Sequence, residues 1–485
     1  MKKILSIAVF LVLAGLNALA QVGEPYIHDP STITECDGKY YTFGTGAGGL
    51  ISADGWVWES GAVRHGGCAA PDVIKIGDRY LVGYTTSGGG LGGNHDSRVV
   101  TMWNRTLDPT SPDFAYTEPV EVARSEPDED CDAIDIGFIM TPDGRLFCTY
   151  GTYFGNIRII ELDPATGGRL PGSRPADIAI DCEATKMIYR DGWYYLMGTH
   201  GTCCDGVNST YNIVVGRSRC VTGPFLDNMG RDMLRGGGRM LIAAEERRFG
   251  AGHFGQIIEC EGVEKMSLHF ESDLDRSGRS VLAIRPLLWR DGWPEAGEPL
   301  QDGNYKILSR RRGYALELTV DFVRSDPGMM PFWIRQDEPA VALGAQKLED
   351  VIGGWPSGEI PVRLSDYMAR PHQKWTIEAV PGAGGYLGGP YFRIVTEGTG
   401  RALAAAPGAR LETVPEFTGA DRELWRIEQL VDGTYRILPK EIPGQAGNND
   451  ACAGAMCLIS VADSTPGLGV FDFNSDNCKW DLKRH

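Results

Sequence analysis

His28-Asp29-Pro30-Ser31, the strand-forming Thr32-Ile33-Thr34, the turn Asp37-Gly38 and the aromatic strand Lys39-Tyr40-Tyr41 together make a phrase that recurs along the chain. It returns as Pro71-Asp72-Val73-Ile74-Lys75-Ile76 followed by Gly77-Asp78-Arg79-Tyr80-Leu81. A third copy is Ala133-Ile134-Asp135-Ile136 followed by Asp143-Gly144-Arg145-Leu146-Phe147, and a fourth runs from Glu183-Ala184 to Asp191-Gly192-Trp193-Tyr194-Tyr195. A weaker fifth starts at Gly252-His253 and passes through Gln256-Ile257-Ile258 to Met266-Ser267-Leu268. Asp-Gly pairs between strand formers predict hairpins, because the tight turn needs positive φ and glycine supplies it. Repeated strand units with no helical patterning predict a five-bladed β-propeller. The lead residues are 43, 63, 48 and 70 positions apart. A plain blade takes about 40–50 residues, so blades two and four are expected to carry long loops.

The chemistry follows from the phase of the repeat. If each phrase opens the innermost strand of a blade, Asp29, Asp72, Asp135, Glu183 and His253 ring the central channel. One such acid alone reads as an ordinary strand-end carboxylate. Recurrence at one phase reads differently, because like charges gathered in a funnel raise each other's pKa and that cost needs a function.

Outward from the repeats, residues 1–20 read as a cleaved export signal: Lys2 and Lys3, the apolar run from Ile4 to Leu13, then Ala18-Leu19-Ala20 before Gln21. The run is short for a membrane span, so an exported protein, periplasmic or extracellular, with no membrane anchor is expected. Net charge is −17 over 485 residues. So acidic a chain lacks the electrostatic footprint for nucleic acid or anionic lipid, and it favours a neutral substrate. Twelve cysteines fit an oxidising compartment. Their scatter describes no small disulfide scaffold, neither adjacent Cys203-Cys204 nor Cys452 with Cys457 has zinc-site spacing, and the pairings stay open.

These phrases resemble glycoside hydrolase family 43, most closely its arabinanase branch, over roughly residues 22–300. The strongest stretch is Cys203-Cys204-Asp205-Gly206-Val207-Asn208-Ser209-Thr210-Tyr211, continuing through Val215-Gly216-Arg217-Ser218 to Thr222-Gly223-Pro224-Phe225. A second match is Ile284-Arg285-Pro286-Leu287-Leu288-Trp289 with Asp291-Gly292-Trp293-Pro294. The resemblance implies Asp29 as general base, Glu183 as general acid and Asp135 as the carboxylate that orients the acid and tunes its pKa. It places Cys203 and Cys204 in a loop near the substrate, and Asp72 among the substrate-binding positions. His253 matches a histidine associated with a channel metal, usually one calcium ion. Imidazole is a poor direct ligand for calcium, so water-rich coordination is expected there, and no organic cofactor. The roles agree with inverting hydrolysis, in which an ionised carboxylate activates water and a protonated one serves the leaving oxygen, ~6.5–9.5 Å apart. Ionised Asp135 beside Glu183 would keep the acid protonated by like-charge repulsion.

The pattern also departs from the family. Ala69-Ala70-Pro71-Asp72 lacks the tryptophan usual before that phrase, and Ser87-Gly88-Gly89-Gly90 is glycine-rich where a bulky residue is common. Tyr84, Trp56 and Trp58 are candidates to replace the lost stacking surface, though each also reads as blade packing.

After Pro294 the texture changes, and 298–485 is expected to be a second domain beyond a propeller at 21–297. Three repeats open with Tyr305-Lys306-Ile307, Phe392-Arg393-Ile394 and Tyr435-Arg436-Ile437 and close on Gln373-Lys374-Trp375, Glu423-Leu424-Trp425 and Cys478-Lys479-Trp480. They resemble a ricin-type β-trefoil with an insertion around 329–365, either a carbohydrate-binding module or a structural appendage. The chain thus reads as all-β, a five-bladed β-propeller followed by a β-trefoil, acting on a neutral plant polysaccharide or oligosaccharide. The first reading is an endo-α-1,5-L-arabinanase. The alternatives are an exo-acting α-L-arabinofuranosidase or β-xylosidase of the same family, a retaining fructan hydrolase, whose W-M-N-D-P-N-G phrase is absent, and a non-catalytic sugar-binding propeller.

Overall fold

Asp37 and Gly38 adopt φ of 53° and 76°, Asp191 and Gly192 49° and 80°, and Asp291 and Gly292 53° and 72°. Two left-handed central residues are what a two-residue type I′ hairpin demands. The strands they join pair at once, with Cys36 opposite Lys39, Arg190 opposite Trp193 and Arg290 opposite Trp293. The computed structural model that carries these turns describes residues 21–86, 97–125, 131–152, 155–320, 352–445, 449, 452, 454–461 and 464–485. The expected export signal at 1–20, the Ser87–Gly90 segment and residues 329–351 of the expected insertion lie outside the described residues.

Five antiparallel meanders result, at residues 34–68, 72–124, 137–180, 183–242 and 248–296, with Val22–Gly23 added in parallel to the outer strand of the first. Their innermost strands are β1 (Thr34–Cys36), β2 (Asp72–Ile76), β3 (Gly137–Met140), β4 (Glu183–Arg190) and β5 (Arg248–Cys260). Blade four owes its length to residues 201–211 and 219–238, which link its strands. Each neighbouring pair of blades buries its own apolar layer. Phe43 and Tyr84 pack between blades one and two, Leu81 and Phe138 between two and three, and Phe147 and Leu196 between three and four. Met197 and Phe254 pack between four and five, and Leu50 and Leu282 between five and one. Five such layers close a ring, at about 1.5–3 kcal/mol for each large apolar side chain buried. The N-terminal segment crosses the last gap: Leu282 donates its N–H to the Pro25 carbonyl at 2.8 Å and Ile27 donates to Ser280 at 3.3 Å.

Beyond Trp293–Ala296, the last propeller strand, a ten-stranded sheet runs from Gly303–Ser309 to Trp480–Arg484. Trp375, Trp425 and Trp480 are fully buried in one core. Each follows a short 3₁₀ turn and donates its indole N–H to a backbone carbonyl: Leu316 at 2.8 Å, Leu403 at 3.0 Å and Leu458 at 2.8 Å. The same local device therefore appears three times around a shared centre.

The second sheet is welded to the propeller. Its hairpin at 385–390 lies on blade one so closely that a Cβ on Gly385 would come within 2.3 Å of the Trp56 ring. Glu428 meets Lys265 of blade five at 2.6 Å and the guanidinium of Arg426 at 2.8 Å, while Arg426 also reaches Glu259 of β5 at 2.7 Å. A disulfide joins Cys260, at the end of β5, to Cys452.

Candidate active site

The innermost strands share a backbone signature, just before the strand in blades one to three and at an irregularity within it in blades four and five. Asp29, Ala70, Asp135, Ala184 and His253 have φ of 50°, 22°, 59°, 46° and 61°, one in each successive blade. Left-handed backbone at non-glycine residues costs on the order of 1–3 kcal/mol each and gathers at functional sites. These five mark the true phase of the repeat. The expectation that all five lead residues are equivalent is corrected: Asp29, Asp135 and His253 hold the phase, whereas Glu183 sits one residue before it and Asp72 two after.

That offset changes the reading of Asp72. It is 1% exposed, and its carboxylate is fully engaged: Oδ1 accepts Thr32 N–H at 3.2 Å, and Oδ2 accepts Phe138 N–H at 2.8 Å and pairs with Lys186. Burial alone would raise its pKa, but the Lys186 ammonium and these donors hold it below the ordinary value. Asp72 is a buried staple tying together residues of blades one to four.

Asp29 is built for the opposite purpose. Thr45 Oγ1 donates to its Oδ2 at 2.5 Å, and Thr45 is itself fixed by the Ala70 N–H at 3.1 Å. His28 Nε2 lies 3.4 Å from Oδ2 and His253 Nδ1 3.9 Å from Oδ1. Burial pushes the Asp29 carboxyl up, but His28 and His253 outweigh it and keep the group well below the usual carboxylate range. His269, fully buried, is pushed down by burial and by His28. As a neutral ring it accepts the Asp29 backbone N–H on Nδ1 at 3.0 Å.

Glu183 stands at the start of β4, 5% exposed. Burial first, then the negative charges of Asp135, Asp29 and Glu271, raise its pKa to about 10. Asp135 is itself raised well above its ordinary value by burial and by Asp29, against a hydrogen bond from the Ala184 backbone. The expected like-charge effect of Asp135 on Glu183 is present but ranks after burial, and Asp135 is itself raised. Asp29 is the fixed anion, and the buried pair Asp135 and Glu183 retains proton in its field. The bond from Ala184, the residue after Glu183, makes Asp135 a support for the acid's backbone.

Cys203 and Cys204 form a vicinal disulfide on the loop after His200. The Cys204 N–H donates to both oxygens of Glu271, at 2.9 and 3.0 Å, and its sulfur lies within 4.8 Å of ligand atoms of His28 and Glu271. The half-exposed bridge thus borders the base side of the funnel. Tyr84, Trp56 and Trp58 are buried to 2% or less and supply no stacking surface. For a metal, the ligand atoms that come together are mixed, His28 with Asp29 and His269 and His28 with Cys204 and Glu271, short of the six to eight oxygens calcium prefers. His253 Nδ1, buried and without a hydrogen-bond partner, suits an ion held mostly by water.

Sequence reasoning missed Thr45, His269, Glu271 and Lys186, which come from second strands, from blade five or from deeper in β4. His28 was in view in the His-Asp-Pro-Ser phrase, but its part in holding Asp29 was not.

A fixed carboxylate beside a protonated one is suited to general acid–base hydrolysis. The sequence profile of glycosyl hydrolases family 43 matches residues 47–294. The chain belongs to that family and is a glycoside hydrolase. It is 30% identical over 312 residues to the extracellular exo-α-(1→5)-L-arabinofuranosidase of Cellvibrio japonicus, covering 56% of this chain and 86% of that protein. It is also 30% identical over 294 residues to the extracellular endo-α-(1→5)-L-arabinanase 1 of Bacillus subtilis, covering 55% and 87%. Among solved structures, an exo-1,5-α-L-arabinanase from a bovine ruminal metagenomic library matches with a TM-score of 0.52 at 30% identity, covering 59% of this chain and 99% of that one. A Cellvibrio cellulosa α-L-arabinanase complexed with arabinohexaose matches at 0.51 and 27%, covering 57% and 96%.

Proposed function

We propose that this protein is an arabinan hydrolase that cuts α-1,5-linked arabinofuranose chains internally and with inversion. The observation that carries the reading is the contrast between Asp29, kept ionised by Thr45, His28 and His253, and Glu183, kept protonated by burial. Asp29 takes a proton from water as that water attacks the anomeric carbon. Glu183 gives its proton to the departing glycosidic oxygen, and Asp135 holds the acid's backbone through the Ala184 N–H. Arabinan is the substrate because both curated relatives and both solved structures act on it or are named for it. Cys203 and Cys204 form a sugar-contacting rim. An ion at His253 would add positive charge near Asp29, and no step above passes through it.

The exo-acting arabinofuranosidase is the second reading, favoured by the Cellvibrio japonicus relative. The propeller takes residues 21–297 and the second domain 298–485. The three matching tryptophan devices support a β-trefoil, for which sugar binding is the fitting role. Export fits the leader-like 1–20 and the extracellular relatives.

The test of mechanism is proton NMR of the first product formed from an arabino-oligosaccharide. Inversion predicts the β-anomer of the new reducing end before mutarotation, and an initial α-anomer would reject the roles given to Asp29 and Glu183.

A further inference from the structure

The three tryptophan devices of the second sheet are alike except at two positions. The residue before the carbonyl that takes the indole is Ala315, Ala402 and Cys457 in turn. The residue two before the tryptophan is Gln373, Glu423 and Cys478. In the first device Gln373 locks the turn: its Oε1 accepts the Met368 N–H at 2.7 Å, and its Nε2 donates to the Asp366 carbonyl at 2.7 Å and to Glu317 at 2.6 Å. In the second, Glu423 accepts the Thr418 N–H at 2.7 Å and the Thr418 hydroxyl at 3.0 Å. Cys478 brings only a thiol to that task, a weak donor and a weak acceptor. Its Sγ lies 3.7 Å from the Val470 carbonyl. That carbonyl belongs to the strand Pro466–Val470, which pairs with Met456–Ser460 and sets Gly469 opposite Cys457. Cys457 and Cys478 are free thiols buried in one small layer with Leu438 and Ala455, and Cys457 donates its S–H to Cys478. The two replacements thus fall in the same repeat and face each other.

We infer that Cys457 and Cys478 are a site of disulfide formation, where a covalent lock replaces the polar one of the first two devices. The bridge ties the turn before Trp480 to the strand whose Leu458 carbonyl holds that indole. Cys452 already joins this repeat to Cys260 of blade five, so the new bridge carries the tie from the propeller on to the last tryptophan. Closure is a thiol–disulfide exchange. One thiolate attacks a sulfur of an oxidant that is itself a disulfide, oxidised glutathione or an exchange catalyst, and expels one thiol. The second thiolate attacks the mixed disulfide so formed and expels the other. The oxidant takes up the two electrons and two protons that the cysteines lose. Cys478 is suited to strike first, because the hydrogen bond from Cys457 brings its thiol down to about 7.

The test is disulfide mapping of the full-length protein exported to a bacterial periplasm. It is denatured without reductant in N-ethylmaleimide, digested and read by mass spectrometry. The expected result is a peptide pair linked through Cys457 and Cys478, with Cys36 and Cys182, which lie in separate propeller layers, carrying the maleimide. Maleimide on Cys457 and Cys478, or a link from either one to another cysteine, would overturn the proposal. The locking role is read with Cys457→Ala/Cys478→Gln, which restores the residues of the first device. Its melting temperature should lie several degrees below the wild type's, and the gap should close when both are melted in dithiothreitol. A gap of the same size with and without reductant would mean that the pair acts through packing alone, and the covalent lock would be rejected.

Discussion

At the scale of single residues, the account turns on two carboxyl groups driven in opposite directions by their surroundings. Glu183 is raised from an ordinary 4.5 to about 10, by burial before anything else. In the unfolded chain the same group ionises near its ordinary value, so between roughly pH 4.5 and pH 10 the folded state holds a proton that the unfolded state has lost. Stability from this group is full below that window and declines as pH rises through it. Glu183→Gln removes the dependence, so the variant's melting temperature should exceed the wild type's by more at pH 8 than at pH 4.5, as scanning calorimetry would register. The same substitution should cost turnover about 10³-fold or more while sugar binding persists, measured by single-turnover assay beside calorimetric titration. Asp29, Glu183 and Asp135 were legible because each sits in a recurring phrase. An ionised Asp29 and a protonated Glu183 were expected from the resemblance, but what holds Asp29 ionised was not legible. It depends on Thr45, His28, His253 and His269, of which only His28 is a neighbour in sequence.

At the scale of elements, the Asp-Gly turns were readable because the type I′ hairpin imposes a local demand that few residues meet. Asp72 was misread because its phrase matches the others while its backbone does not: the left-handed residue in its blade is Ala70. The partner that decides its role, Lys186, lies 114 residues away. Asp72→Ala leaves that buried ammonium alone and should cost about 3–5 kcal/mol in urea denaturation, with part of the loss recovered in Asp72→Ala/Lys186→Met. The vicinal Cys203-Cys204 bridge belongs to this scale as well. Its loop is fastened by the Cys204 N–H on Glu271, so Cys203→Ser/Cys204→Ser should raise KM for arabino-oligosaccharides more than it lowers kcat. An unchanged KM would remove the bridge from the substrate rim.

At the scale of the whole molecule, propeller and second sheet form one mechanical unit. Glu428, 3% exposed, pairs with Lys265, Arg426 and Arg436, Glu259 shares the first two, and the Cys260–Cys452 bridge closes the same junction. Glu428→Ala leaves Arg436 without its carboxylate and Glu259 alone against Lys265 and Arg426. The wild type should unfold in a single calorimetric transition, and the variant should unfold at lower temperature with the two halves separating. The change of texture after Pro294 was visible in sequence, and so were the three tryptophan phrases. The weld between the halves was not, because it is made of residues such as Lys265, Glu259 and Gly385 that follow no repeat.

The most direct test of the central claim is the product profile on debranched linear arabinan, with Glu183→Gln as control. The account predicts a ladder of arabino-oligosaccharides from the wild type that vanishes in the variant. A ladder that survives in Glu183→Gln, or a wild type that releases nothing from arabinan, would contradict it.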